Sequence, residues 1–176
     1  MITLRLLAIS DTHGNIPALE TVLTWARTQS IDAAVFLGDG IQDLPRAAAA
    51  TGFFTEWEQV RGNNDYMSFI PEAVDFNFGG HRFFLCHGHR HNPYRDYNTL
   101  IAAAHEIEAE AVLFGHLHVP LLEKIDGILL VNPGSVGRPR SGTGATFAVI
   151  DCSPEKPLDI QFWKIDPPGK IVKLKM

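Results

Sequence analysis

Cysteine is scarce in this 176-residue sequence, which has only Cys86 and Cys152. Two thiols cannot build the disulfide framework of a small secreted domain, and we predict that both are small buried apolar side chains. The opening segment MITLRLLAIS meets Asp11 too early for a signal peptide, and the sequence contains no run of about 18 apolar residues. We therefore expect a cytoplasmic protein without a membrane-spanning helix.

Positive charge is also limited. Lys and Arg total 15 against 20 Asp and Glu, so the formal net charge is −5. This balance offers no electrostatic surface for long nucleic acid. It does not exclude a small anionic substrate, because bound metal ions can dominate a local field. Apolar residues make up 45% of the sequence, enough for a sizeable core, and the length predicts one domain over residues 1–176.

Apolar runs and apolar periodicity predict alternating strands and helices in the first half of the chain. The predicted strands cover residues 3–10, 33–37 and 58–61. The predicted helices run from Ile16 to about Ala26, with Asn15 as the N-cap, and over residues 44–50. This half therefore has the order β-α-β-α-β.

The second half is mostly β. Gly79-Gly80 and Asp126-Gly127 are hairpin signals between apolar runs. Further strands are predicted over residues 73–78, 82–86, 111–114, 146–150 and 159–165. One helix is expected from an Asn98 cap to about Glu108, and the tail IDPPGKIVKLKM is expected to be a surface segment. The pattern predicts an α/β (α+β) fold with two sheets packed together and flanked by helices.

Side chains that ligate metals directly follow five of the predicted strands. They are Asp11 with His13, Asp39, Asn63, His87, and His116 with His118. Ligand sites in α/β sheets gather at the carboxyl ends of strands, so we expect these loops to meet. The motifs at Asp11, Asp39 and Asn63 are each, taken alone, more typical of a turn, a loop or a helix cap, and the histidine pairs are more suggestive. The conjunction of all five predicts a metal centre. Imidazole, carboxylate and amide ligands suit Mn, Fe or Zn, and seven of them favour two ions that share a carboxylate.

Among the single motifs, the histidine pair after the strand at 111–114 gives the strongest signal. In Gly115-His116-Leu117-His118, an extended backbone would point both imidazoles to one side, where both could face one ion. His81, His91 and His105 are expected to have surface or helix roles.

The order of the motifs D-x-H, GD, GN-x-D, HGH and GH-x-H between residues 10 and 135, with SDTHGN and NPGS, resembles the calcineurin-like metallophosphoesterase superfamily. In size and motifs the chain is most similar to the compact bacterial and archaeal phosphodiesterase branch. The resemblance implies two mixed β-sheets in a sandwich flanked by helices, a four-layer architecture. It also implies a dinuclear metal-dependent phosphoesterase, in the first place a phosphodiesterase, with two divalent ions. Mn is the first choice, and Fe, Zn, Ni or Co are alternatives.

The resemblance further implies roles for individual residues. One metal would be held by Asp11, His13 and His118, the other by Asn63, His87 and His116, with Asp39 bridging both. In the implied mechanism a metal-bridging hydroxide attacks phosphorus in line, while the ions and His89 stabilise charge on the phosphoryl oxygens. The implied catalytic residues are Asp39, Asn63, Asn64 and His89.

Asn64 is a departure from the pattern, because many superfamily members have His at this position as the acid for the leaving group. An amide cannot donate a proton as a general acid, so we expect a preference for leaving groups that depart easily, such as aryl groups. Asp65, the partner of that His in the family, would be a structural hydrogen-bond acceptor here. Substrate contacts are expected from Asn64, His89 and Arg138, with Arg140 close to Arg138 in the same loop.

Several functional alternatives remain open from the sequence. The expected substrate is a small phosphate ester, and a phosphomonoesterase or a nuclease of the same superfamily is an alternative to a phosphodiesterase. A non-catalytic protein-interaction scaffold on the same fold is a further alternative, although the presence of all seven ligands favours an enzyme. A homo-oligomer is compatible with the sequence.

Overall fold

The computed structural model describes residues 2–66, 69–167 and 169–176. Its helices are α1 Ile16–Ala26, α2 Leu44–Thr51 and α3 Asn98–Glu106, with a 3-10 turn at Ile41–Asp43. The strands are β1 Leu4–Ile9, β2 Ala33–Phe36, β3 Glu56–Gln59, β4 Ala73–Phe78, β5 His81–Cys86, β6 Ala111–Phe114, β7 Pro120–Ile125, β8 Ile128–Pro133, β9 Thr146–Cys152, β10 Asp159–Asp166 and β11 Lys170–Lys173. None of the helices in these ranges is long and apolar enough to cross a membrane.

The strands form two mixed sheets. The six-stranded sheet has the order β11-β10-β9-β1-β2-β3, and the five-stranded sheet has the order β4-β5-β6-β8-β7. Strands β1, β2 and β3 run parallel in the first sheet, and β5, β6 and β8 run parallel in the second. Each sheet therefore has one set of parallel strands whose carboxyl ends share an edge.

Strand β1 shows how the sequence pattern builds the layers. Its side chains alternate, so Leu6 and Ala8 enter the core between the two sheets while Leu7 and Ile9 pack under α1 and α2. On the far side, α3 packs against the outer face of the five-stranded sheet through residues such as Leu100. The result is a four-layer sandwich of helices, two sheets and a helix, which confirms the fold class expected from the sequence.

The two helix caps have different outcomes. Asn15 Oδ1 accepts the N–H of Ala18 at 3.3 Å, which confirms the cap of α1. Asn98 is not a cap, because it is the first residue of α3 and its own N–H donates to Asp96 Oδ1 at 3.0 Å. Asp96 supplies the acceptor that Asn98 was expected to supply.

The described residues of the tail lie at or near the surface, as expected, but they also form a strand that was not predicted. Residue 168 lies outside the described residues, and Lys170–Lys173 forms β11 antiparallel to β10. Ile171 packs against the cluster beneath α1, so burial of this side chain accounts for the strand. The third strand is also displaced, to Glu56–Gln59. The Val60 N–H still donates to Phe36 O at the end of β2, but the Arg61 N–H donates to Pro71 O instead, so the pairing with β2 ends before Arg61.

Both cysteines are free and buried, as predicted. Burial raises the pKa of both thiols, that of Cys152 to about 12, so neither is a reactive thiolate near neutral pH. The expected surface or helix role of His81 is wrong, because this residue begins β5 and is buried, with Nε2 2.9 Å from Ser153 O and Nδ1 3.0 Å from Glu110 Oε2. His105 lies exposed on α3, and His91 is partly exposed.

Candidate metal centre

The loops after five parallel strands meet at one edge of the sandwich. Asp11 follows β1, Asp39 follows β2, Asn63 follows β3, His87 follows β5, and His116 and His118 follow β6. The first three strands belong to one sheet and the last two to the other. The centre therefore lies across the junction of the two sheets, as the strand-end argument predicts.

One compact group of ligand atoms comprises Asp11, His13 and His118. His118 Nε2 lies 3.0 Å from Asp11 Oδ1, and His13 Nε2 lies 3.6 Å from the same oxygen. The two imidazole Nε2 atoms are 3.3 Å apart. The ligand atoms of the three residues all lie within 4.8 Å of one another, so one metal ion could contact all three.

A second compact group comprises Asp11, Asp39 and His87. His87 Nε2 lies 3.4 Å from Asp39 Oδ2 and 4.0 Å from Asp11 Oδ1. Asp39 Oδ2 is also 3.6 Å from His13 Nε2, so Asp39 contacts both groups. The two groups are contiguous and share carboxylates, which is an arrangement that suits adjacent cations.

Two buried atoms in this centre lack a protein partner among the described residues. Asp11 Oδ1 and His87 Nε2 are both inaccessible, and neither makes a hydrogen bond of acceptable geometry. A buried polar atom without a partner costs about 1–3 kcal/mol, and more when it is charged. A divalent cation would satisfy the imidazole lone pair and the carboxylate oxygen together, so the residues present fit a metal ion.

Backbone carbonyls orient two of the imidazoles. His87 Nδ1 donates to Leu37 O at 2.7 Å, and His118 Nδ1 donates to Arg138 O at 2.7 Å. A carbonyl can only accept, so the proton lies on Nδ1 and the Nε2 lone pair faces the centre. This is the arrangement in which a neutral imidazole ligates a metal.

The two carboxylates are held by nearby donors. Asp11 Oδ2 accepts from Ser10 Oγ at 2.6 Å and from the backbone N–H of His116 at 3.0 Å. Asp39 Oδ1 accepts from the Asn64 backbone N–H at 2.8 Å, and Asp39 Oδ2 accepts from Asn64 Nδ2 at 2.6 Å. Both carboxylates are therefore fixed in orientation before any ligand arrives.

Asp65 fixes the position of Asp39 through the backbone. Its carboxylate accepts the N–H groups of Asp39, Gly40, Ile41 and Gly62 at distances between 2.7 and 3.1 Å. It thus joins the loop after β2 to the loop after β3. In the structure Asp65 is a buried hydrogen-bond acceptor, the role expected for it.

The protonation states of the acids suit a cation site. Burial opposes ionisation of Asp11, but contacts with His118 and His13 outweigh it and hold the pKa of Asp11 well below its usual range. Burial likewise opposes ionisation of Asp39, yet contacts with His87 and Asn64 lower its pKa to about 2. Both groups are carboxylates at neutral pH.

The histidines divide into two types. Burial, together with the neighbouring His87, lowers the pKa of His116 to about 4 and also lowers the pKa of His89. Burial would lower the pKa of His87 too, but Asp39 and Asp11 outweigh it and raise the pKa. The metal-free protein therefore holds a proton on His87 more readily, and this proton would compete with a cation for the imidazole.

The backbone at these loops is unusual. Positive φ angles between 45° and 66° occur at five proposed ligands, namely Asp11, His13, Asp39, His116 and His118. This conformation costs a non-glycine residue about 1–2 kcal/mol, and such strain is concentrated at functional sites. The expectation of an extended backbone over 116–118 is wrong, because both histidines have a left-handed backbone conformation and residues 116–117 form a bend.

The remaining predicted residues border this centre. A cavity of about 420 Å³ is lined by His13, Asp39, Asn63, Asn64, His116, His118, Arg138, Pro139 and Arg140. His89 lies on a neighbouring cavity of about 340 Å³, and Asn63 lines both cavities. His116 is outside the two compact groups, with its ring centroid 5.1 Å from that of His87. The structure thus brings every predicted site residue to one region.

Some supporting residues were missed in the sequence. Asn132 Nδ2 donates to Gly115 O at 2.6 Å, and Ser135 Oγ donates to Asp11 O at 2.7 Å, so the NPGS segment braces two ligand loops. Both residues are fully buried. Their position after an apolar run was a usable signal. Tyr94, whose hydroxyl donates to His116 O at 2.9 Å, carried no such signal.

A four-layer sandwich of two mixed sheets, with an Asp/His-rich centre at the parallel strand ends, is the architecture expected of calcineurin-like phosphoesterases. Residues 4–155 match the sequence profile of the calcineurin-like phosphoesterase superfamily domain. The chain belongs to this superfamily, and the resemblance found in its motifs is confirmed.

Relatives of known name support the family. The chain is 29% identical over 168 residues to the phosphodiesterase YfcE of Escherichia coli K12, covering 84% of this chain and 88% of that protein. A crystal structure of a predicted phosphoesterase from Streptococcus pneumoniae superposes with a TM-score of 0.78 at 25% identity, covering 99% of both chains. Vps29 from Entamoeba histolytica superposes with a TM-score of 0.78 at 21% identity, covering 98% of this chain and 100% of that chain, which shows a shared fold.

Proposed function

We propose that this protein is a dinuclear metal-dependent phosphodiesterase that hydrolyses small phosphate esters. The observation that carries the proposal is the convergence of five strand-end loops around two buried, unpartnered atoms, Asp11 Oδ1 and His87 Nε2. The name of the Escherichia coli relative, a phosphodiesterase, supports the type of reaction.

The first proposed ligand set is the first compact group, whereas the second set shares only His87 with the second group and takes Asn63 and His116 from the family resemblance. Asp11, His13 and His118 would hold one ion, Asn63, His87 and His116 the other, and Asp39 would bridge them. Two divalent cations bound here would activate water for in-line attack and stabilise charge on the phosphoryl oxygens. Manganese is the first candidate, and imidazole-rich ligand sets also suit Fe, Zn, Ni or Co.

The chain's own groups orient the substrate and hold the ligands. Asn64 donates two hydrogen bonds to Asp39 and lines the larger cavity, so it both fixes the bridging carboxylate and borders the phosphate. His89, whose pKa is lowered by burial, is neutral at pH 7 and would donate an N–H to a phosphoryl oxygen. Its Nδ1 is buried without a partner among the described residues.

The absence of an imidazole at Asn64 bears on the substrate. An amide does not protonate a leaving oxygen, so esters with acidic leaving groups should react best. Two cavities that adjoin at Asn63 leave room for both arms of a diester. These features support a diester, and an aryl diester above an alkyl one.

A metal-dependence assay tests the proposal. The protein is stripped with a chelator, reloaded with Mn²⁺ and assayed with bis(p-nitrophenyl) phosphate and p-nitrophenyl phosphate. Hydrolysis should return with the metal and favour the diester. Asp39→Asn should lower the activity more than about 100-fold and weaken metal binding, since it removes the bridging charge. Asp75→Asn, the same change at a surface ion pair with Arg82, should leave both intact.

The alternatives give other outcomes in the same assay. A protein-interaction scaffold on this fold would hydrolyse neither ester with any metal. A phosphomonoesterase would favour p-nitrophenyl phosphate. An active, metal-replete Asp39→Asn protein would remove the bridging assignment.

A further inference from the structure

Two arginines at the rim of the larger cavity have no acidic partner within residues 2–66, 69–167 and 169–176. Arg138 and Arg140 line this cavity, and neither forms an ion pair among the residues that the structure describes. The smaller cavity differs, because its Arg61 and Arg90 are both paired with Glu72 at 3.1 and 3.0 Å. Uncompensated positive charge is thus confined to one side of the centre.

The backbone that carries these arginines is fixed to a proposed metal ligand. His118 Nδ1 donates to Arg138 O at 2.7 Å, and the Arg140 N–H donates to His118 O at 3.0 Å. The Arg138 N–H donates to the buried Ser135 Oγ at 2.7 Å. Both side chains therefore start from a backbone whose position relative to the metal centre is set.

Tyr94 positions the second guanidinium. Arg140 Nη1 donates to the Tyr94 hydroxyl, and that hydroxyl donates to His116 O at 2.9 Å. The Arg140 Cζ atom is 6.0 Å from the centroid of the tyrosine ring, which is 57% exposed. Arg140 is thus held by a hydroxyl, and its other guanidinium N–H groups make no hydrogen bond within the described part of the chain, so they can bind an anion.

We propose that Arg138 and Arg140 bind a second phosphate group of the substrate, so that the enzyme selects phosphodiesters that carry a phosphate monoester on one arm. This inference rests on the proposed phosphodiesterase function. Cations at the Asp/His centre would meet the charge of the reacting phosphate. Because neither guanidinium pairs with a carboxylate among the described residues, the two can form an anion-binding rim in the same cavity. The N–H donors of a guanidinium match the geometry of phosphate.

A matched pair of substrates tests the inference. The thymidine 5′-(p-nitrophenyl phosphate) diester and its 3′-phosphorylated derivative differ only in one phosphate group. With the Mn²⁺-loaded protein, kcat/KM should favour the 3′-phosphorylated ester by about tenfold or more, the effect of a charge-assisted contact. The double variant Arg138→Gln/Arg140→Gln should bring this ratio close to one. Arg46→Gln, an exposed arginine on α2 outside the cavity, should keep the wild-type ratio.

A binding measurement gives a second readout. By calorimetry, the Mn²⁺-loaded wild type should bind thymidine 3′,5′-bisphosphate about tenfold more tightly than thymidine 5′-monophosphate, and the double variant should bind both alike. If the double variant fails to fold, Arg138→Gln alone leaves the Arg140–Tyr94 contact in place and should lower the ratio severalfold.

Three outcomes would overturn the inference. They are equal kcat/KM values for the two esters with the wild type, a wild-type ratio retained by the arginine variants, and no hydrolysis of either nucleotide ester. If bis(p-nitrophenyl) phosphate is still hydrolysed in these cases, only the phosphate-binding rim is refuted. If no ester is hydrolysed with any metal, the proposed function itself fails.

Discussion

At the scale of single residues, Asn64 bears both on the orientation of Asp39 and on the protonation of a leaving group. Both its backbone N–H and its side-chain amide donate to Asp39, so it orients the carboxylate that would bridge the two ions. The same position lacks a group that can protonate a leaving oxygen. In the proposed function, the residue would therefore support metal binding and limit the range of esters that are cleaved.

Replacing Asn64 with His should raise activity on diesters with poor, alkyl leaving groups. An imidazolium at this position can act as a general acid, which contributes up to about 10²–10⁴-fold in other enzymes, and partial loss of the Asp39 contact will reduce the gain to a smaller factor. The measurement is kcat/KM on a series of alkyl and aryl diesters. Asn77→His on β4, an exposed position, is the control. No gain on any alkyl ester would contradict the placement of Asn64 at the acid position.

At the scale of elements, close approach of the strand-end loops builds the centre. A Cβ added at Gly115 would lie 2.0 Å from Ser10 Oγ, 2.8 Å from Asp11 Oδ2 and 3.1 Å from Leu37 O. The loop after β6 therefore touches the loops after β1 and β2, and only glycine permits the contact.

Gly115→Ala should displace Ser10 and Asp11 and so weaken metal binding. A shift of this kind at groups that orient ligands costs about 10–100-fold in affinity. The measurement is a Mn²⁺ titration of the stripped protein. Gly142→Ala, where an added Cβ meets nothing within 4 Å, is the matched control. Wild-type affinity in Gly115→Ala would show that the spacing of these loops does not define the site.

The sequence predicted those elements whose signal is local. Buried runs such as that of β1 and β6 were visible as apolar segments, and the ligands after them were found because parallel strands end at one edge. The strand at Lys170–Lys173 was missed because its four residues form no long apolar run, and the strand depends on antiparallel pairing with β10. The left-handed backbone at His116 and His118 was missed because strain at a site is imposed by tertiary contacts, against local preference.

At the scale of the whole molecule, the proposed ions would connect the two sheets. Asp11 and Asp39 come from the six-stranded sheet, while His87 and His118 come from the five-stranded sheet. Cations held by all four would cross-link the halves of the sandwich. They would also offset the strain of the left-handed ligands and the burial of unpartnered atoms.

Metal binding should therefore raise the melting temperature. At a free Mn²⁺ concentration 100-fold above Kd the gain is about 2.7 kcal/mol, and chelation should reverse it. The raised pKa of His87 adds a pH dependence. In the metal-free protein, the stabilisation from protonated His87 is complete below the pKa of this histidine in the unfolded chain, about 6.5. It is lost as the pH rises through the higher pKa of His87 in the folded protein.

A cation needs the neutral imidazole, so the metal-induced rise in melting temperature should be larger at pH 8 than at pH 6. Thermal denaturation with Mn²⁺ and with chelator at the two pH values checks this. A larger rise at pH 6 would contradict the ligand role of His87.

The location of the protein, its oligomeric state and its organisation as one domain over residues 1–176 stay predictions from the sequence.

Anomalous diffraction from Mn²⁺-loaded crystals would show whether the five strand-end loops hold a pair of cations. Two peaks about 3.5–4 Å apart are predicted, one among Asp11, His13 and His118 and one among Asn63, His87 and His116, with Asp39 between them. No peak at these loops, or Mn²⁺ only at other residues, would contradict the account.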